Sequence, residues 1–322
     1  MFTLRAALLM IGCSLATIPV LYAQQYPTKP VRYIVAYAAG GGTDTIARLI
    51  ARKLAESMGQ QVIVDNRPGA GGNIATDIAV NALADGYTIL MGNVGPMTVN
   101  PHLYKLTFSP LRDLSPVTQI AASPLLVVVH PSLPVGSLKD LIAFARREPG
   151  KLSYSSAGVG SSNHLAGALF GIEARVNIVH IPYKGAAPAL TDLVAGRVQL
   201  SFQTLTSASR IVQSGKLKAL AVTSAKRSAL FPDIPTATES GLDGYEVSAW
   251  YGMLVPLNTP RSVIDKINRA TVEALKNKEV AERLAQQGAE PVGSTPEAFG
   301  KFMRSETEKW AKVVKISGMK AE

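Results

Sequence analysis

Tyr33-Ile34-Val35-Ala36-Tyr37-Ala38-Ala39-Gly40-Gly41-Gly42-Thr43-Asp44 is an apolar run that stops on three consecutive glycines. The run reads as a buried strand, and the segment behind it, Thr45 to Met58, places Ile46, Leu49, Ile50 and Leu54 at helical spacing. Strand, glycine turn and helix start therefore follow one another. Glycines let a backbone come close to a ligand, and the unbonded N–H groups of a first helical turn, at the positive end of the helix dipole, favour an anion. A tight turn capped by Thr43 or Asp44, with no ligand at all, fits the same residues equally well.

Outward from this turn the alternation continues. Strand Tyr33 to Ala38, helix Thr43 to Met58, strand Gln61 to Asp65, helix Asn73 to Ala82 and strand Tyr87 to Met91 form a β-α-β-α-β succession, which predicts a doubly wound α/β sheet. Two more glycine turns, Pro68-Gly69-Ala70-Gly71-Gly72 and Gly92-Asn93-Val94-Gly95, follow strand ends in the same unit. Ligands of open α/β sheets bind beyond the carboxyl ends of the strands, so all three turns are expected on one edge. A second α/β succession runs from Leu125 to Ser224, after a turn-rich join at Leu111 to Pro116. A strand across Tyr245 to Pro256 and three terminal helices complete the chain, which points to two lobes with a cleft between them.

The second unit carries its own version of the opening turn. In Ser155-Ser156-Ala157-Gly158-Val159-Gly160-Ser161-Ser162-Asn163-His164 a strand ends, two glycines turn, and Ser161 or Ser162 is placed to cap a helix. Two facing helix starts make an anion clamp the better reading of both turns.

Several chemistries are excluded by pattern. Gly158-x-Gly160-x-x-Asn163 and Gly69-x-Gly71-x-x-Ile74 lack the third small residue of a dinucleotide turn, and neither a phosphate-cradling Gly-x-x-x-x-Gly-Lys nor a Gly-x-Ser-x-Gly elbow occurs. His102, His130, His164 and His180 form no metal-ligand spacing, so neither metal nor cofactor is expected. The net charge of +10 is dispersed, with no basic run interleaved with aromatics, which argues against nucleic acid. His164 reads as a ligand contact, a base, or a residue bonding the nearby backbone; Asp44 reads as a cap or an acceptor that shapes the loop. Trp250 and Tyr251 are expected in the core or on the cleft floor.

The chain opens with Arg5, an apolar stretch from Ala6 to Val20, and Leu21-Tyr22-Ala23 before Gln24-Gln25, the pattern of a secretory signal peptide (1–23) cut after Ala23. Lipidation at Cys13 is the competing reading, although Met10-Ile11-Gly12 is a poor lipobox. No later apolar stretch approaches the roughly 20 residues of a membrane span.

Taken as an ordered set, the opening turn, Asn66 to Asn73, Ala84-Asp85-Gly86-Tyr87-Thr88, Ser156 to His164, Tyr183-Lys184-Gly185, Leu220-Ala221-Val222-Thr223 and Phe231 to Thr236 resemble the tripartite tricarboxylate transporter substrate-binding receptors, the Bug family. The resemblance implies a two-lobed periplasmic binding protein of the type II, Venus-flytrap kind, not an enzyme, that acts as a monomer and hands a small organic carboxylate to membrane transporter subunits. Its lobes would be 24–123 plus 248–322, and 124–247. Carried over by position, the ligand-binding residues are Ala39, Gly40, Gly41, Gly42, Thr43 and Asp44 in one turn and Gly158, Gly160, Ser161 and Ser162 in the other. Tyr37, Asn93, His164, Gly185, Gln203 and Trp250 are expected to line the pocket wall. Ala36 and Ala38 stand where many members have proline, and Gln203 where many have aspartate, which argues against an amino-group partner there. A sensor subunit presenting its ligand-bound form to a membrane kinase, and an exported hydrolase using Ser161 or Ser162 with His164, are the rival readings.

Overall fold

The computed structural model describes residues 26–321; the segment read as a signal peptide (1–23) and Cys13 lie outside the described residues. The first half follows the expected alternation: β1 (Val31–Val35), α1 (Gly42–Met58), β2 (Val62–Asn66), α2 (Asn73–Val80) and β3 (Thr88–Asn93). β1 is parallel to both β2 and β3, with Tyr33 opposite Val64 and Ile89. The crossover helices cover both faces of a parallel sheet, and α1 and α2 both pack on β1, which is why β1 reads as a continuous apolar run rather than an alternating one. α1 buries Ile46, Leu49, Ile50 and Leu54, and stops where Gly59 turns left-handed.

β1 ends earlier than the apolar run suggests. The strand stops at Val35, and Ala36, Tyr37 and Ala38 belong to the turn. The physical reason is a partner from the other half of the chain: Ala38 N–H donates to the Lys184 carbonyl at 3.1 Å, which draws the backbone off the ladder.

After the short helices α3 (Asn100–Leu103) and α4 (Pro110–Asp113), β4 runs over sixteen residues, Leu114–Val129. The turn-rich join expected at Leu111 to Pro116 is thus partly strand. Pro116 and Pro124 do not break it, because register shifts near Pro116 and Gln119 bend the strand along β9 (Ser248–Pro256).

The second half comprises α5 (Leu138–Arg147), β5 (Ser153–Ser156), α6 (Ser162–Glu173), β6 (Val179–Pro182), α7 (Ala186–Val194), β7 (Leu200–Thr204), α8 (Leu205–Gln213) and β8 (Lys218–Val222). α8 is an addition to the sequence-based reading; its Leu-Thr-Ser-Ala-Ser start looks like loop, and burial of Leu205 and Ala208 against the sheet makes it a helix. The strand order is β2-β1-β3-β9-β4-β7-β5-β6, with β4 and β9 as the antiparallel pair that joins the two parallel groups.

α9 (Arg261–Lys276), α10 (Lys278–Gln286), the short β10 (Glu290–Pro291) and α11 (Pro296–Ser317) bring the chain back to the first half. Gly252 on β9 leaves room for the Phe299 ring of α11. Trp250 and Trp310 both donate to the Glu306 carboxylate, at 3.2 and 2.9 Å, which fixes α11 against the crossing strand. Among the described residues no helix is long and apolar enough to cross a membrane.

Candidate functional site

The first turn is shaped from behind by one carboxylate. Gly40 has φ 84°, and its N–H donates to Asp44 Oδ2 at 2.9 Å. Asp44 Oδ1 accepts from Asn66 at 3.0 Å and pairs with Arg48 at 3.0 Å. Burial alone would raise this carboxyl, but hydrogen bonds from Arg48, Gly40 and Asn66, together with the Arg48 charge, hold it below its ordinary 3.8. Helix α1 begins at Gly42 with Gly41 as an uncapped N-cap, so neither Thr43 nor Asp44 is a cap. A cap accepts from N–H groups ahead of it, whereas the Asp44 side chain reaches back four residues to Gly40.

In the second turn a histidine occupies the equivalent place. Ser161 caps α6 by accepting from His164 N–H at 3.3 Å, and the His164 ring accepts from Gly160 N–H through Nδ1 at 3.1 Å. That bond places the proton of the neutral ring on Nε2. The ring stacks on His180 with centroids 3.8 Å apart and 3° between planes. His180 Nε2 meets the Ser156 hydroxyl at 2.6 Å, and Ser156 Oγ accepts from Gly158 N–H at 3.0 Å. Burial, with a smaller contribution from His180, lowers His164 to about 3, and burial lowers His180 to about 4. Both rings are neutral near pH 7, and no hydrogen bond joins the His164 ring to a Ser161 or Ser162 hydroxyl among the described residues.

The two halves meet at this place. Gly42 N–H donates to Ser207 Oγ at 3.0 Å, and hydroxyl contacts of 2.9 to 3.0 Å continue through Thr204 and Thr206 to Tyr251. A Cβ on Gly42 would collide with Thr206 Oγ1, so glycine is what allows the approach.

A cavity of about 30 Å³ lies in this junction. It is lined by Gly41, Gly42 and Thr43 at the start of α1, by Ser161, Ser162 and Asn163 at the start of α6, by Ala186 at the start of α7, and by Thr204 and Ser207 where β7 passes into α8. Tyr37, Asn93, Trp250 and Tyr251 complete most of the wall. The N-termini of four helices thus meet at one small space, and no Asp, Glu, Lys or Arg lines it. The N–H groups of Thr43, Asp44, Ser162 and Asn163 have no acceptor among the described residues. Unpaired donors at several converging positive dipole ends are suited to a small anion.

Not every residue expected at the site lines this cavity. Gly158 instead lines a neighbouring cavity of about 230 Å³, which shares Tyr37 and Ala157 with the first and reaches Gly71 and Lys184. Ala39 and Gly40 are exposed, whereas Asp44, Gly160 and His164 shape the turns from behind. Gly185 abuts Ala38, and Gln203 is buried between Ser201 and Asn163, accepting from Asn163 at 3.3 Å. Sequence reasoning missed Asn163, Ala186, Thr204 and Ser207. Thr204 and Ser207 carried a usable signal, a hydroxyl-rich stretch directly after a strand, but recognising it required seeing α8. No group of His, Cys, Asp or Glu that could hold a metal ion occurs among the described residues.

Residues 46–319 match the model of the tripartite tricarboxylate transporter family receptor. The chain is similar to protein BugT of Bordetella pertussis, 38% identical over 318 residues that cover 97% of this chain and 98% of BugT. In architecture it is similar to R. palustris Rpa4515 with adipate, at a TM-score of 0.89 and 38% identity, covering 91% of this chain and 98% of that one. It is likewise similar to MatC from Rhodopseudomonas palustris with bound malate, at a TM-score of 0.86 and 32% identity, covering 90% and 100%.

Proposed function

The chain belongs to the tripartite tricarboxylate transporter receptor family, and from that premise we propose that it captures a small organic carboxylate in the cavity between α1, α6, α7 and α8. The observation that carries the proposal is the convergence of four helix N-termini on a cavity without a charged side chain. Such a site neutralises one carboxylate with oriented N–H groups and hydroxyls instead of an arginine. The N–H groups of Thr43, Asp44, Ser162 and Asn163, with the Thr43 and Ser162 hydroxyls, are the donors assigned to it.

The relatives holding adipate and malate support this ligand class. The protein acts in the periplasm as a monomer, with 24–123 plus 248–322 as one lobe and 124–247 as the other, and delivers its ligand to membrane subunits of the transporter. Hinge closure about β4 and β9 brings Gly42 to Ser207 and Ala38 to Lys184, which shuts water out of the site.

Calorimetric titration with mono-, di- and tricarboxylates, nucleotides and sugars tests the reading. Saturable binding of at least one organic acid is expected, and binding of a sugar or nucleotide with no organic acid would sink it.

A further inference from the structure

The lysines and arginines are dispersed along the sequence, but α11 lines several of them up. Phe299, Met303, Trp310 and Val314 are buried and mark the inner face of this helix. At about 100° per residue, Lys301, Arg304, Glu308, Lys312 and Lys315 fall within an arc of about 80° on the opposite side, and all five are exposed. The stripe is about 21 Å long. Glu297, at its head, pairs with Arg261, and Lys309, at its margin, pairs with Glu306. Lys301, Arg304, Lys312 and Lys315 make no ion pair among the described residues, so Glu308 is the acid left to oppose four cations. Lys320 is exposed just past the helix end, and Ile316 stands beside Lys312 and Lys315 with 71% of its surface exposed. A solvated helix face ordinarily mixes its charges so that residues three or four apart attract. Here Lys301 with Arg304, and Lys312 with Lys315, repel at that spacing, which a negative partner would relieve.

We propose that this outer face of α11 rests on an anionic lipid surface. A straight row of cations meets a flat layer of headgroups with every member at once, and the exposed Ile316 enters the boundary beside them. No aromatic side chain lies on the stripe to stack a base, which sets nucleic acid aside. None of these residues lines the ligand cavity, so a receptor held at the membrane keeps its site free. The inference rests on the periplasmic location read above and is independent of which ligand is bound. Its use is kinetic, since a receptor confined near the membrane searches a surface rather than a volume for its transporter subunits.

The test is co-sedimentation of protein purified from the periplasm with phosphatidylcholine vesicles, pure or with about a third phosphatidylglycerol. Each uncompensated cation near an anionic surface strengthens association about fivefold, so a stripe of net three should favour the anionic vesicles about a hundredfold at low salt. Most of that preference should vanish at about 0.3 M salt. Lys312→Glu with Lys315→Glu should cut binding to anionic vesicles by at least about tenfold. Lys139→Glu with Arg147→Glu on α5 changes the net charge equally and should cost about threefold or less. Urea midpoints of both double variants should match the wild type, which separates lost contact from lost folding. Equal binding to the two vesicle types would overturn the inference, as would an equal loss in the α5 variant, which would make net charge and not the stripe responsible. Vesicles left unbound while membranes of the producing cell retain the protein through Lys312 and Lys315 would overturn it in favour of an acidic protein surface.

Discussion

The two glycine turns solve one problem with opposite chemistry. In each, a glycine in left-handed backbone, Gly40 or Gly160, is held by an acceptor four residues later, Asp44 or His164, which lies inside the first turn of the helix. Both devices consume the loop's own donor, while the N–H groups of Thr43, Asp44, Ser162 and Asn163 have no acceptor among the described residues. The first acceptor is a charged carboxylate matched by Arg48; the second is a neutral imidazole kept neutral by burial against His180. A negative charge behind one turn is tolerable because a cation cancels it locally. A protonated ring behind the other would add a positive charge that stacks on His180, with no acid beside it among its described contacts.

The sharpest contrast is steric. Ala at either glycine strains a left-handed backbone, but the new Cβ at position 40 would meet Ala187 at an ordinary 3.7 Å, whereas at 160 it would collide with Asn100 Oδ1. Asn100 cannot step aside, being fully buried and bonded to Gly71 and Asn73. Gly160→Ala is therefore expected to weaken affinity for the acids that bind in titration by about a hundredfold. Gly40→Ala should cost only about fivefold. Equal losses would erase the distinction between a turn packed against its neighbour and one open to solvent.

The pH dependence separates the acceptors next. His164 and His180 titrate near 6.5 when unfolded but near 3 and 4 in the fold, so the unfolded chain binds the extra protons. Stability then falls as pH drops below about 6.5 and continues to fall toward 4. Asp44, lowered from 3.8, contributes stability that is lost only below that value. Urea midpoints measured from pH 7 to 4 should decline, and His164→Gln should flatten the slope between about 6.5 and 4.5 while Asp44→Asn leaves it in place. A profile unchanged by His164→Gln would refute the neutral-ring account.

The smallest effect probes whether the turns share the ligand. Thr43→Val and Ser162→Ala each remove one hydroxyl from the cavity wall. A loss of about three- to tenfold in affinity for each is expected from one neutral hydrogen bond. A loss confined to one of them would make the clamp one-sided.

Legibility in the sequence followed the range of the interactions. α1 was readable because helical spacing of Ile46, Leu49, Ile50 and Leu54 and the stop at Gly59 are local. The Ser161 cap was readable for the same reason. The Asp44 and His164 devices were half readable: the sequence offered Asp44 as a loop-shaping acceptor and His164 as a residue bonding nearby backbone, beside the cap and ligand-contact readings, but not the glycine four residues back that each one holds.

What the sequence by itself determined is the alternation of strand and helix and the two glycine-led helix starts, since spacing, turn residues and capping act within a few positions. Only the tertiary structure decided that α7 and α8 add their N-termini to the same cavity, that Gly42 lies on Ser207, and that Asn93 bonds the Trp250 carbonyl. Those facts depend on contacts between residues 93 and 250 or 42 and 207, and no local pattern encodes a pairing across more than 150 positions.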